Sequence, residues 1–389
     1  DQPHVEFQKA HGRAFRSIVG MQKGDFNHAE ILSAFCDHML RKGRKLTTSE
    51  IDAKLEEVVQ LFDFLQDQDL FAEVYRGQLA KRLLGKKSVS NDAEKMVLSK
   101  LKMLCGAQYT LKMERMFNDL ELSASESAEY GGIWSKAVSS YDVAVPPTFD
   151  VTVLTYGSWP AFPDLKGLIL PKEFELCAAH FSMYYTNKNK DKRKLIWVES
   201  QGTAQLRCTF NEKVRKTLNV TTLQAFVLLA YNDAESHSFK DLIARLGLED
   251  QDVARRVVHP LWAIKGQAIL KRIAATKGGK VKLEDTFEFN PSVAKHPKVA
   301  LTYPSPALVP SRAKEAVDED RRFVLDAWVV RVMKGRRRME AHECIMEVIN
   351  KMPFFRPTTK QVKERIEDLI QREYLKRATD DRKILEYLA

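Results

Sequence analysis

"VAVPPTFDVTVLTYGSWP", residues 143–160, divides the chain into two textures. Pro146 and Pro147 end any helix that reaches them, because each ring locks φ and removes a backbone N–H. The β-branched run over residues 151–156 then reads as a strand that opens a sheet. Upstream, apolar residues recur at three and four positions in "AEILSAFCDHML" (29–40), "IDAKLEEVVQLFDFL" (51–65), "FAEVYRGQLAKRLL" (71–84) and "LKMERMFNDLEL" (111–122), the period of an amphipathic helix. Ser90 and Asn91 precede "DAEKMVLSKLKML" as candidate N-caps with acidic residues in the next turn. Residues 1–140 are therefore expected to form a helical bundle.

Downstream the pattern is mixed. "KLIWVES" (194–200) and "AQLRCTF" (204–210) read as strands joined by a Gln201–Gly202 turn, a hairpin signal. Helices are expected at "TTLQAFVLLAYN" (221–232), "FKDLIARLGL" (239–248) and "DVARRVVHPLWAI" (252–264), followed by strands at "QAILKR" (267–272) and "VKLEDTFEFN" (281–290). Three helices and a hairpin make a winged helix, so 141–290 is read as an α/β domain that includes one. Five prolines between 291 and 310 mark 291–314 as a linker, with a mobile final domain at 315–389. That domain repeats the plan: a helix holding residues 329–339, helices at 341–352 and 358–373, then "YLKR" and "ILEYL" around "ATDDRK". Thr358 and Gln361 have capping-box spacing at the start of the third helix. The expected fold is α+β and mainly α.

A chain of 389 residues, 44% hydrophobic and 29% charged, suits several soluble globular domains, and no apolar run nears the roughly 20 residues of a membrane span. The sequence does not start with Met and is expected to begin inside a longer protein. Cys36, Cys105, Cys177, Cys208 and Cys344 stand singly, with no metal-ligand spacing, and read as buried thiols of a reducing compartment. The nine His residues show no metal or triad spacing, so no metal ligand and no catalytic residue is assigned. A net charge of +10 favours acidic partners without choosing among them. Nucleic acid is the alternative a winged helix invites, yet the expected recognition helix, 358–373, carries four cations against four carboxylates, where phosphate binding needs a surplus.

"VVRVMKGRRRM", residues 329–339, places Lys334 between an apolar helical run and three arginines. At 100° per residue Leu325, Trp328, Val329 and Val332 form one apolar arc, and Lys334 lies opposite its centre. Its amine should face solvent. That placement suits a modified lysine, a solvated face, a nuclear-import tag or a nucleic-acid contact alike. "NKNKDKRK", residues 187–194, is a solvated loop by charge alone.

"VDEDRRFVLDAWVVRVMKGRRR" (317–338), "QVKERIEDLIQREYLKR" (361–377) and the terminal "YLA" resemble the neddylation domain of the cullin family, scaffolds of multisubunit ubiquitin ligases. The stretch from "LAKRLLGKKSVSNDAEK" to "NDLELS" (79–123), "VTVLTYGSWP" (151–160), "LILPKEF" (168–174) and "RKLIWVES" (193–200) resemble further cullin segments in family order. The family's N-terminal adaptor-binding repeats are absent from this sequence. Trp328, Gly335 and Ser158 depart from the usual cullin residues. The resemblance implies a non-catalytic scaffold without a cofactor, with zinc only in a RING-finger partner. It implies that Lys334 accepts a ubiquitin-like modifier through an isopeptide bond. It places Val151, Val153, Leu154 and Trp159 near the RING-binding site, and makes Lys188, Lys190, Lys192, Arg193 and Lys194 a basic patch for a ubiquitin-conjugating enzyme. The neddylation machinery and cullin regulators are further implied partners, in cytoplasm and nucleus; membrane and nucleic acid are not expected.

Overall fold

Asn27, Thr47 and Ser90 start three of the helices by accepting backbone N–H groups that a first turn leaves unpaired: Asn27 from Ala29 at 2.8 Å, Ser90 from Ala93 at 3.0 Å, and Thr47 in a reciprocal box with Glu50. The helices before the Pro pair are α1 Val5–Gly20, α2 His28–Leu40, α3 Thr48–Phe62, α4 Gln68–Leu84, α5 Asn91–Cys105 and α6 Ala107–Ala137. Gly106, at φ +85°, turns the chain from α5 into α6 in a conformation that a side chain would disfavour. The computed structural model describes residues 5–20, 27–42, 47–141, 148–190, 192–210, 214–275, 279–306 and 313–388.

The chain folds as two compact units, one made of Asp1–Asp119, Leu154–Pro160 and Ser311–Ala389, the other of Leu120–Val153 and Ala161–Pro310. The division falls within α6, which continues as helix to Ala137. Beyond it, Tyr130 and Trp134 of α6 pack with Cys177, Phe181 and Tyr185 of α7 Lys172–Asn189, which commits the end of α6 to the second unit. Inside the first unit Arg82, 1% exposed, donates to both carboxylate oxygens of Glu94 at 2.6 and 2.8 Å and to Asp37 at 2.7 Å. Tyr75 and Ser88 also donate to Glu94. Burying a guanidinium costs several kcal/mol unless it is paired and hydrogen-bonded, and here each of its three nitrogens meets a carboxylate. Cys36, Cys177 and Cys344 are buried as expected, while Cys105 and Cys208 are only half-buried, a correction.

In the second unit β1 Thr203–Thr209 pairs antiparallel with β2 Arg215–Thr221, in a register that sets Leu206 against Leu218. The hairpin partner expected for β1, residues 194–200, is therefore wrong: 194–198 form no strand, and Gln201 closes a 3-10 turn before β1. Residues 151–156 form no strand either. Both segments have strand-like composition, but propensity makes a ladder only where a second backbone supplies partners. The first winged helix follows, with α8 Thr222–Leu229, β3 Ser236–Ser238, α9 Phe239–Leu246, α10 Gln251–Ala263, β4 Leu270–Ile273 and β5 Thr286–Phe289, the strands ordered β3-β5-β4. The short strand β3 and the whole of β2 were not expected from the sequence.

The Pro-rich linker is corrected as well. Pro291–Lys295 is a 3-10 turn with Val293 buried, and β6 Ala300–Thr302 adds to β2 in parallel as an edge strand. Lys216 donates to the carbonyls of His296 at 2.6 Å and Lys298 at 3.1 Å, and Tyr303 is buried. Pro291 opens the turn where no N–H is needed, and Pro297 and Pro304 flank β6 rather than interrupt it.

The C-terminal winged helix comprises α11 Ala313–Arg336, β7 Arg338–Glu340, α12 Ala341–Lys351, α13 Thr359–Gln371, β8 Leu375–Arg377 and β9 Ile384–Tyr387, with strand order β7-β9-β8. Thr358 and Gln361 form the capping box of α13. Its core gathers Leu325, Val329, Met333, Val348, Ile366 and Leu385. Within the first unit Arg321 donates to both oxygens of Asp69, at 2.6 and 2.7 Å, and to Asp67 at 2.7 Å, with its guanidinium over Phe355. Gln68 donates its backbone N–H to the carbonyl of Phe354 at 3.0 Å, so α11 and the loop after α12 are clasped to the start of α4.

Candidate modification and partner surfaces

Lys334 occupies the last turn of α11. Leu325, Val329 and Val332 are buried and Trp328 half-buried, while Lys334 is exposed on the other side, as the helical period requires. Among the described residues it has no hydrogen-bond or ion-pair partner. The nearby arginines are engaged: Arg331 lies over the Trp328 ring at 5.1 Å, Arg336 reaches Glu347 at 3.6 Å, and Arg338 pairs with Asp380 and with Glu386. The helix runs through Gly335 and stops at Arg337, which takes the left-handed φ of +63° and donates its N–H to the Met333 carbonyl at 2.7 Å. One amine therefore stands unpaired at a rigid helix end.

Residues 151–155 are held from α6 by side chains instead of a strand. Val153 donates its N–H to the Ser123 hydroxyl at 2.7 Å, and Thr155 donates to Asp119 at 2.8 Å. Alternate N–H groups, those of Thr152 and Leu154, find no partner among the described residues, so one edge of the segment is satisfied and the other is open. In residues 194–198 the one backbone hydrogen bond among the described residues is at the far end, where the Val198 carbonyl accepts from Gln201 at 3.2 Å. Leu195 and Trp197 pack on the same apolar cluster as Val151 and Val153. Of the four residues expected here, Val151 and Val153 belong to the second unit, and Leu154 and Trp159 to the first. Trp159 is buried and donates to Asp119 at 2.7 Å, which makes it a support of the turn rather than a contact. Ser123 and Asp119 carry no sequence signal for this role: both read as polar positions of a helix.

The basic patch divides. Lys190, Lys192, Arg193 and Lys194 are exposed and without an ion-pair partner among the described residues. Lys188 is corrected: it pairs with Glu129 at 2.8 Å and Glu126 at 3.4 Å, and those contacts, led by Glu129, raise its pKa. On α13, Arg365 and Arg372 are both spent on Asp326 and Asp368, and Lys360 reaches Glu364 at 3.9 Å, which leaves little cation for a phosphate backbone. Among the described residues no group of three or more His, Cys, Asp or Glu could hold a metal ion, and no helix is long and apolar enough to cross a membrane.

These elements follow known family profiles in order. Residues 2–127 match the Cullin alpha solenoid domain, 153–293 the Cullin alpha+beta domain and 320–381 the Cullin protein neddylation domain, the last of which includes Lys334. The chain belongs to the cullin family. It is 36% identical to Cullin-1 of Oryza sativa subsp. japonica, aligned over 100% of this chain and 51% of that protein. Against Cullin-2 of Arabidopsis thaliana the figures are 35%, 100% and 52%, and against Cullin-4A of Homo sapiens 33%, 93% and 47%. The chain spans about half the length of the curated relatives it matches. Its mainly-α α+β architecture is that of this cullin region.

Proposed function

We propose that this cullin chain is a non-catalytic scaffold of a multisubunit ubiquitin ligase, which binds a RING-finger subunit, positions a ubiquitin-conjugating enzyme and receives a ubiquitin-like modifier on Lys334. The observation that carries the proposal is that lysine: exposed, unpaired among the described residues and fixed on α11 inside the segment that matches the neddylation profile. Its neutral amine attacks a thioester carbonyl, the C–S bond breaks, an isopeptide C–N bond forms and the departing thiolate takes up the proton. Zinc chemistry belongs to the RING-finger partner.

The open edge of residues 151–155 supports the RING-binding part. A partner strand laid there meets the free N–H groups of Thr152 and Leu154, the arrangement by which a sheet accepts a strand from another chain. Lys190, Lys192, Arg193 and Lys194 suit an acidic segment of the conjugating enzyme, attracted by charge and weakened by salt.

Conjugation in vitro with the modifier's activating and conjugating enzymes, followed by peptide mapping, tests the assignment. Lys334→Arg keeps charge and helix propensity but offers a guanidinium that stays protonated. The variant is expected to fold, to bind the RING-finger subunit as wild type does and to lose the modifier-sized mass increase. Equally efficient modification of the variant, mapped to another lysine, would remove Lys334 from the proposal.

A further inference from the structure

We infer that Tyr156 is the anchoring contact for the RING-finger subunit, a preorganised aromatic beside the edge that takes the partner's strand. The inference rests on the scaffold function proposed above and adds to it a residue that neither the fold nor the family profiles single out. Tyr156 is 96% exposed, the highest value among the large apolar and aromatic side chains of the described residues, although it sits in a hydrogen-bonded turn of the first unit. Ser158 closes that turn by donating its N–H to the Thr155 carbonyl at 3.2 Å, and Gly157 takes the left-handed φ of +85° that the third position of such a turn demands.

Two charged side chains clamp the turn from below. Asp119 accepts from the Thr155 N–H at 2.8 Å, the Thr155 hydroxyl at 2.7 Å and the Trp159 indole at 2.7 Å. Arg76, itself paired with Glu73, donates to the carbonyls of Gly157, Ser158 and Trp159 at 3.4, 3.3 and 3.5 Å. Ser158 and Trp159 are buried. The only large group the turn offers to solvent is therefore the Tyr156 ring, on a backbone that has little left to lose on binding. A tyrosine so placed brings a large amphipathic surface with few torsions to immobilise, the composition of an interface hot spot.

Proximity identifies the occupant. At about 3.3 Å per extended residue, Tyr156 lies no more than about 7 Å along the chain from Leu154, whose N–H is one of the two open donors. A strand that pairs at Leu154 passes the tyrosine, so the same subunit must meet it, through an apolar pocket with a polar group for the phenol oxygen.

The test uses the whole chain and its purified RING-finger subunit, titrated by calorimetry. Tyr156→Ala should raise Kd about thirtyfold, as expected for a hot-spot truncation near 2 kcal/mol, with the thermal midpoint unchanged because the side chain touches solvent. Tyr156→Phe, which keeps the ring, should stay within threefold of wild type. A rise of less than tenfold for Tyr156→Ala, with wild type still bound, overturns the anchor and leaves the scaffold function standing. Failure of the wild-type chain to bind the subunit overturns both.

Discussion

Asp285 decides the shape of the wing in the first winged helix. Fully buried, it accepts the N–H groups of Ala275 and Lys282, each at 3.0 Å, and pairs at 2.6 Å with Arg272, which in turn donates to the carbonyls of Gly279 and Lys280. Burial works against its charge, but the N–H groups of Lys282 and Ala275 and the guanidinium outweigh it and hold the carboxyl below its usual range. A lowered folded pKa gives stability that is complete above the unfolded value of about 3.9 and is lost as the pH falls through the folded one. Asp285→Asn should therefore lower unfolding free energy by about 2–4 kcal/mol at pH 7, the cost of leaving Arg272 buried without its partner. Urea unfolding at pH 7 and near pH 3 should show the gap to wild type shrinking in acid; a gap independent of pH would assign the loss to packing alone. None of this was legible in "KLEDTFEF", which reads as part of a strand over 281–290. Lys334 was legible, because a helix period fixes which side of α11 a residue faces without knowledge of its partners.

Elements that carry their own start signals were readable, and those that depend on another part of the chain were not. The box at Thr358 and the cap at Ser90 lie within three residues of the groups they satisfy. β2, which alternates over seven residues and pairs with the neighbouring β1, was missed despite its own signal, while β3 and β6 are only three residues long and pair with strands far along the chain. The five prolines misled for the same reason, since Lys216, far upstream, is what holds residues 296–298. The placement of α11 follows this rule too: Arg321 and its acceptors Asp67 and Asp69 are separated by the greater part of the chain. Arg321→Ala strands two carboxylates, one at each end of the α4 cap, and should cost about 2–4 kcal/mol in the contact between α11 and α4. Hydrogen exchange should show the Gln68 amide, which donates to Phe354, losing protection while amides in the core of α12 and α13 keep theirs. Unchanged exchange at Gln68 would mean that apolar packing around Phe354 and Phe355 suffices without the clasp.

At the scale of the whole molecule, the two segments read as strands and found unpaired were misread about partnership rather than about chemistry. Residues 151–155 and 194–198 have the β-branched and aromatic composition of strands, and Val151, Val153, Leu195 and Trp197 from them pack on one apolar cluster. Within this chain, Ser123 and Asp119 satisfy one edge of the first segment, and among the described residues only the Val198 carbonyl of the second has a backbone partner, Gln201. A sheet whose completion lies in another polypeptide cannot be found by pairing a sequence with itself. If the RING-finger subunit supplies the missing strand, the amides of Thr152 and Leu154 should exchange quickly in the isolated chain. They should slow by two orders of magnitude or more in the complex, as amides entering a ladder do, with residues 195–198 gaining protection alongside them. The Val153 amide, already bonded to Ser123, should change least and serves as the internal reference. Leu154→Lys places a charge on this half-buried segment and should weaken copurification while the helices keep their exchange pattern. Amides at 152 and 154 that exchange equally fast with and without the subunit, in a complex shown to have formed, would place the interface elsewhere on the scaffold and leave these segments without a partner.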